Sequence, residues 1–356
     1  MAQKNLHLAK LQKKDEFYTQ LSDIENELKH YKGQFWGKVV FCNCDDPKES
    51  NFVKYFSMNF EHLGLKKLIA THYKQASLFT QESPYKLEYI GDKNGNRMPD
   101  PSEFMTEMIS DGDFRSKECI ELLEEADIVV TNPPFSLFRE YLTQLMEYNK
   151  KFLIIGNTNA LTYKEVFNLI KDNELRTGYT NFNVGMFFVV PDDWEKFHHI
   201  DDTGRKIARV STSCWFTNLD VEKHKDMITL YKKLSSNEYP RYDNYDALEV
   251  AKVSEIPTDY EGVVGVPITF VDKHNPEQFE IIGMTKTPIG THLRTKVYPK
   301  QIQVGKDGAR SNVTKLNDGA AIKVSEPPID RTYYIVDGEY YIAMYPRILI
   351  KRKEQK

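Results

Sequence analysis

The first half of the chain alternates between two hydrophobic periods. Lys38 to Cys44 ("KVVFCNC") is a short continuous apolar run, as a fully buried strand requires. In the next segment, "SNFVKYFSMNFEHLG", Phe52, Val53, Phe56 and Phe60 recur at helical spacing and Gly64 is placed to end the helix. "LKKLIAT" and "YKLEYIGD" read as further strands. "SKECIELLEEA" reads as a helix with Ser116 at its N-cap and Cys119, Ile120, Leu122, Leu123 and Ala126 turned inward. The strand "DIVV" follows, and after Ser136 an amphipathic helix carries Leu137, Phe138, Tyr141, Leu142, Leu145 and Met146. "KFLIIGN" is a buried strand, "YKEVFNLI" a helix, and "VGMFFVVP" and "RVSTSCWFTNL" are β-rich runs.

A repeated β-α pattern with short connections predicts an α/β fold with a doubly wound, mostly parallel sheet. Ligands of such sheets bind beyond the carboxyl ends of the strands. The texture changes after about Asp220. A helix is expected over "VEKHKDMITLYKKL", followed by a region rich in Pro, Gly, Tyr and Asn. Within that region "GVVGVPITFVD", "QFEIIGM", "AAIKV", "TYYIV" and "YYIAMYPRILIKR" read as strands. The expected division is a domain over 1–220 and a β-rich region over 221–356, with the boundary between Leu219 and Asp243.

The 356 residues suffice for two domains, and 40% apolar and 28% charged residues are ordinary for a soluble globular protein. No apolar run approaches the ~20 residues that span a bilayer, and the first residues hold no apolar block resembling a secretory signal. A cytoplasmic protein with no membrane partner is the expectation. Cys42, Cys44, Cys119 and Cys214 are too few and too scattered for a disulfide framework, and no Cys or His pair stands at zinc-ligand spacing. Buried thiols and no metal are expected. Nothing resembles a coiled coil, so the chain reads as a monomer.

The net charge of −4 does not announce nucleic acid, but its distribution is uneven. Between Thr285 and Lys315, Lys286, Arg294, Lys296, Lys300, Lys306, Arg310 and Lys315 face one acid, Asp307. Such a patch is the footprint of a phosphate-backbone binder or a loop whose lysines confer solubility.

One stretch carries chemistry. "ADIVVTNPPF", Ala126 to Phe135, ends a predicted strand on an asparagine, two prolines and a phenylalanine. A strand-to-helix turn would account for it blandly. The alternative is a grip on a planar amine. The Asn132 side-chain oxygen and the Pro133 carbonyl are two acceptors on a turn stiffened by Pro133 and Pro134, matching the two hydrogens of an exocyclic amine. Phe135 supplies a flat face on which a purine can stack. Accepting both hydrogens draws electron density toward a poorly nucleophilic nitrogen, so a sulfonium methyl could be attacked in line without a covalent enzyme intermediate. A base in a duplex would first have to be rotated out.

"NPPF" after an apolar strand resembles motif IV of the amino-group methyltransferases that use S-adenosylmethionine. "KKDEFYTQ", Lys13 to Gln20, is similar to the segment that opens many adenine methyltransferases, and "DGDFRSKE", Asp111 to Glu118, resembles their motif III. "YDNYDALEV" and "GVPITFVDKHNPEQFEIIG" resemble the C-terminal half of EcoRI-type adenine-specific DNA methyltransferases. The resemblance runs from Lys13 to about Gly283. It implies a Rossmann-like catalytic domain, a C-terminal target-recognition domain, S-adenosylmethionine as cofactor, and methylation of a flipped adenine in double-stranded DNA, as in restriction-modification. It further implies that Asn132 and the Pro133 carbonyl accept from the adenine amine and that Phe135 stacks on the base. Phe17, Tyr18 and Thr19 would lie against the methionine end of the cofactor. Asp113 would accept from the cofactor's adenine with Phe114 beside that ring, and Asp45, Asp46 and Pro47 would meet the cofactor after the first strand.

The residues also admit Phe17, Tyr18 and Phe114 as core and Asp113 as a turn residue. The first turn, "CNCDDPKESNF", lacks the usual glycines, and "IATHY" ends without an acid for the ribose, which leaves Asp45 or Asp46 for that contact. No phosphate loop and no nucleophile elbow is present. His198-His199 reads as a surface pair and "DDTGRK" as a turn between strands. Arg294, Lys296, Lys300, Arg310 and Asn312 are candidates for contacting bases. Methylation of RNA adenine or of protein glutamine, and DNA binding without catalysis, are the other functions the sequence admits.

Overall fold

A computed structural model describes residues 18–73, 83–92, 104–235 and 239–354. The chain divides into two compact units, one of Met1–Ala160 and Leu175–Glu222, the other of Leu161–Glu174 and Lys223–Lys356.

In the first unit the strands are β1 (Tyr18–Thr19), β2 (Val39–Asn43), β3 (Lys67–Thr71), β4 (Tyr85–Tyr89), β5 (Met105–Glu107), β6 (Ile128–Thr131), β7 (Lys151–Asn157), β8 (Arg176–Thr177), β9 (Met186–Val189), β10 (His199–Ile200), β11 (Lys206–Val210) and β12 (Ser213–Thr217). The helices are α1 (Leu21–Leu28), α2 (Asn51–Met58), α3 (Phe60–Leu63), α4 (Lys117–Glu125) and α5 (Phe138–Glu147). An eight-stranded sheet has the order β5-β4-β3-β2-β6-β7-β12-β8. Its centre is parallel: β3 with β2, β2 with β6, and β6 with β7. Its flanks are antiparallel, β4 on β3 and β5 on β4 at one side, β12 on β7 and β8 on β12 at the other. The sheet is therefore mixed rather than mostly parallel. The apolar runs identified its strands, but their direction depends on connections that hydrophobicity does not encode.

Every residue of β2 and β6 is buried, as expected for strands covered on both faces. The expected helix after β2 is two helices, α2 and α3, meeting at Asn59. Gly64 ends α3 in the left-handed region at φ +61°, and a Cβ there would lie 2.3 Å from the Trp36 ring. The Ser116 hydroxyl accepts from the Cys119 N–H, as its N-cap position predicts. "RVSTSCWFTNL" is two strands in two sheets. β11 joins a second sheet of order β1-β9-β11-β10, whereas β12 closes on β7. One apolar core joins both sheets, with Phe41's neighbours Val40 and Cys42, and Phe52, Phe56, Phe188 and Trp215 among its members.

The second unit contains α6 (Lys164–Lys171) and nine strands among its described residues: β13 (Leu248–Glu249), β14 (Val264–Pro267), β15 (Phe279–Met284), β16 (Gln301–Val304), β17 (Arg310–Val313), β18 (Ala321–Val324), β19 (Tyr333–Val336), β20 (Glu339–Ala343) and β21 (Arg347–Arg352). They form sheets of order β13-β14-β21-β15 and β17-β16-β19-β20-β18. "YYIAMYPRILIKR" again divides between the two sheets, as β20 and β21. The helix expected over "VEKHKDMITLYKKL" is absent beyond a single turn at Glu222–His224. Side chains take the backbone partners a helix would have used. Gln278 bonds both the N–H and the carbonyl of Ile228, at 2.7 and 2.8 Å, and the Asn275 amide donates to the Lys225 carbonyl at 2.8 Å. Helical propensity is a weak preference and these contacts override it.

Among the described residues no helix is long and apolar enough to cross a membrane. Cys42, Cys119 and Cys214 are buried thiols, while Cys44 is half-buried.

Candidate active site

Strands β2 and β6 run parallel, so their carboxyl ends and the turns after them lie side by side. The chain leaves β2 through Cys44, which takes φ +88°. A non-glycine residue held there stores on the order of 1–3 kcal/mol of backbone strain. The turn thus has the conformation that a glycine would supply, without the glycine.

Cys44 in this conformation is followed by Asp45, which is buried. Its Oδ1 accepts from the Ser50 hydroxyl at 2.8 Å, and its Oδ2 from the Thr131 hydroxyl at the end of β6. The backbone N–H of Asn132 also donates to this carboxylate. Ser50 in turn caps α2, accepting from the Phe52 N–H at 3.1 Å, and the Asn43 carbonyl is a second acceptor within reach of the single Thr131 hydroxyl proton. Burial pushes the Asp45 carboxyl up to about 7, with Asp46 adding to the rise, against the hydrogen bonds from Thr131, Ser50 and Asn132. One buried carboxylate therefore ties the first turn to the Asn-Pro-Pro-Phe turn.

In that second turn Pro133 is buried, and Asn132, Pro134 and Phe135 are half-buried. The Pro134 carbonyl accepts from the Leu137 N–H at 2.9 Å and leads the chain into α5. Phe135 meets Phe188 edge to face, with ring centroids 6.3 Å apart. Phe188 lies on β9 directly opposite Thr19 of β1. The Thr19 carbonyl accepts from the Asn51 side chain at 2.7 Å, at the first residue of α2. Thr19, Asp45 and the Asn132–Phe135 turn, far apart in sequence, are thereby assembled at the carboxyl end of the parallel strands.

The other expected residues are placed differently. Phe17 lies outside the described residues. Tyr18 is half-buried and pairs with Val189. Asp46 accepts from the Tyr85 hydroxyl at 2.5 Å and the Lys48 N–H at 2.9 Å, and its Oδ2 is 3.3 Å from His72 Nδ1. Pro47 is buried. Asp113 grips Arg115 with both oxygens, at 2.8 and 2.6 Å, and that guanidinium holds its carboxyl below the ordinary range. Phe114 is buried with its ring edge-on to Tyr141 at 5.0 Å. Its loop is pressed against the end of β3, since a Cβ on Gly112 would lie 2.2 Å from the His72 carbonyl oxygen.

Buried polar atoms normally find partners. Here the Thr19 hydroxyl, the Asn43 side-chain nitrogen and the Tyr141 hydroxyl are buried without a hydrogen bond among the described residues. Asn43 lies at the end of β2 and Thr19 in the docked opening segment. These unused groups beside a glycine-like turn fit a polar ligand such as S-adenosylmethionine.

The sequence reading missed Thr131, Ser50, Asn51, Asn43 and Tyr141. Only Ser50 carried a signal, as a serine immediately before an apolar helical run. Thr131 and Asn43 act through positions fixed by parallel strands, and Asn51 and Tyr141 through the helices that follow β2 and β6.

The family described as adenine-specific methyltransferase EcoRI matches residues 5–353. The chain is 52% identical over 294 residues to the type II methyltransferase M.EcoRI of Escherichia coli, covering 80% of this chain and 90% of that protein. It is 38% identical to M.MgeORF184P of Mycoplasma genitalium, over 82% of this chain and 90% of that one. It is also 38% identical to M.MpnI of Mycoplasma pneumoniae, over 82% and 89%. No solved structure matches. With a family match that spans nearly the whole chain and an Asn-Pro-Pro-Phe turn held from beneath at the sheet edge, this protein belongs to the EcoRI family of adenine-specific DNA methyltransferases.

Proposed function

We propose that the first unit transfers a methyl group from S-adenosylmethionine to the 6-amino group of an adenine rotated out of double-stranded DNA, and that the second unit selects the site. The observation that carries this reading is the Asp45 clamp on Thr131 and the Asn132 N–H, which fixes the Asn-Pro-Pro-Phe turn against the first turn. The parallel centre of the eight-stranded sheet supports a Rossmann-like methyltransferase core.

In this reading Asn132 and the Pro133 carbonyl accept the two amine hydrogens, and Phe135, braced by Phe188, stacks on the base. The two acceptors concentrate charge on the amine nitrogen and orient its lone pair. The turn supplies positioning and preorganised dipoles, with no enzyme nucleophile. The groups that would hold the cofactor are Thr19, Asn43, Asp46 and Pro47, with Tyr18 and the Asp113–Phe114 loop beside them. The cofactor supplies an electrophilic sulfonium methyl. Asp45 acts from below, holding the backbone that carries the acceptors.

Transfer of label from S-adenosylmethionine into 6-methyladenine of duplex DNA tests the activity. Asn132→Ala should abolish transfer while leaving duplex binding intact. Normal transfer by that variant would remove the turn from the mechanism.

A further inference from the structure

The seven cations between Lys286 and Lys315 are not alike. Lys286 donates to the Thr162 hydroxyl at 2.7 Å. Arg294 donates to the Thr287 hydroxyl at 2.8 Å and to the Asn317 carbonyl. Lys296 pairs with Asp243 at 2.7 Å. These three brace the unit's own fold. Lys300, Lys306, Arg310 and Lys315 are exposed, and none forms an ion pair with a described residue. All four border or lie within one hairpin, β16 and β17, at the edge of the five-stranded sheet.

One face of that sheet is committed to the interior, where Tyr334, Val336 and Tyr341 pack with Tyr298 and Leu316. On the opposite face the hairpin exposes Arg310, Asn312 and Ile302, while Val304 is buried. Arg310 and Asn312 are exposed on β17, opposite Val304 and Ile302 of β16, and Ile302 is itself exposed. Residues two apart on a strand share a face, roughly 7 Å apart. That spacing equals about two base-pair steps. The tip is compact: the Gly305 N–H donates to the Ala309 carbonyl at 2.8 Å, and Asp307 accepts from the Ala309 N–H at 3.1 Å. The one acid of the hairpin is thus used in its turn.

We propose that this hairpin enters the major groove of duplex DNA. Arg310 and Asn312 read base edges there, while Lys300, Lys306 and Lys315 engage phosphates. A two-stranded antiparallel ribbon is one of the two elements that fit that groove. Arginine pairs with guanine and asparagine with adenine through two hydrogen bonds, and an apolar neighbour such as Ile302 suits a thymine methyl. The competing role for these charges is to keep a short edge strand from pairing with other sheets. This proposal rests on the reading of the second unit as the site selector.

The test uses the full chain. Sequencing plasmid DNA methylated by the wild-type protein gives its site, and a short duplex with that site is compared with a scrambled one. Arg310→Ala or Asn312→Ala should lower kcat/KM on the site duplex about ten- to hundredfold and admit sites changed at one position. Arg310→Lys should keep the salt dependence of binding and lose the choice of site, because lysine lacks the planar fork. Lys306→Ala should reduce the log–log salt slope by about one with site choice unchanged. Variants that select the same site with the same slope, and differ only in solubility, overturn the proposal in favour of edge protection. Equal losses on single-stranded DNA overturn the groove assignment. A wild-type protein that methylates no DNA refutes the catalytic reading alone. The hairpin is then judged by the salt slope of duplex binding.

Discussion

Each unit buries more than one carboxylate, and Glu249 of the second and Asp45 of the first are held differently. In the second unit Glu249 meets Arg347 through paired contacts at 2.7 and 3.1 Å, and the Tyr242 hydroxyl donates to it as well. A cation cancels the charge, and the cluster joins β13 to β21. In the first unit Asp45 has two hydroxyls and a backbone N–H, all neutral. With no cation beside it among the described residues, burial raises its proton affinity against those hydrogen bonds until the group is poised near neutrality. A buried carboxylate with a guanidinium is a brace. Neutral donors alone do not mark a site, since buried Glu27 accepts from the Tyr31 hydroxyl and the Tyr179 and Thr180 N–H groups, and what distinguishes Asp45 is its place at the junction of two turns.

The largest effect is expected at the brace. Arg347→Ala leaves Glu249 buried without a cation, with only the Tyr242 hydroxyl beside it, and should cost about 3–5 kcal/mol in chemical denaturation. Replacing both partners, Glu249→Leu with Arg347→Met, should restore most of that loss. If the double variant is as unstable as the single one, the pair is not a simple brace.

Next comes pH. Asp45 holds its proton up to about 7 when folded, against an ordinary value of 3.8. Between those values the native chain binds a proton that the unfolded chain has released, so stability falls as pH rises. The loss is on the order of 4 kcal/mol and is complete above about pH 7. Below pH 3.8 the group contributes no difference. Asp45→Asn should flatten this part of the stability profile, measured by denaturation at several pH values, and should depress methyl transfer more than it depresses folding. The charged and titratable neighbours are Asp46, Cys42 and Tyr141. An unchanged profile would show that another group carries the dependence.

Smaller effects probe the first turn. Cys44→Val forces a β-branched residue into the left-handed region and should cost about 2 kcal/mol, whereas Cys44→Gly should be neutral or stabilising by up to ~1 kcal/mol. Equal melting temperatures for the two variants would contradict the φ of +88°. The smallest expected change in stability is at Thr19. Its hydroxyl has no partner among the described residues, so Thr19→Val should shift stability by no more than about 0.5 kcal/mol. Affinity for S-adenosylmethionine, measured by calorimetry, should nevertheless fall. Undiminished affinity would remove that hydroxyl from the cofactor site.

Much of this molecule is legible in its sequence. "KVVFCNC", "DIVV" and "KFLIIGN" announce buried strands because a strand covered on both faces has no polar positions to spare. Asn132 to Phe135 announce chemistry because rigid acceptors and a flat ring in four consecutive residues are local facts. The failures share a cause as well. "VEKHKDMITLYKKL" has helical spacing, yet Asn275 and Gln278, some fifty positions away, take over its backbone. The hairpin of Arg310 and Asn312 has no apolar alternation on its outer strand, so nothing local in its sequence announces a strand.

The sequence by itself determined which segments are buried, where the Asn-Pro-Pro-Phe turn lies and which family the chain resembles, since each depends on residues adjacent along the chain. Tertiary structure alone decided that the outer strands run antiparallel and that Asp113 is paired with Arg115. It also decided that Asp45 reaches across to Thr131 and Asn132, and which of the seven cations remain unspent. Those outcomes depend on which groups meet across long loops, and no periodicity along the chain records such meetings.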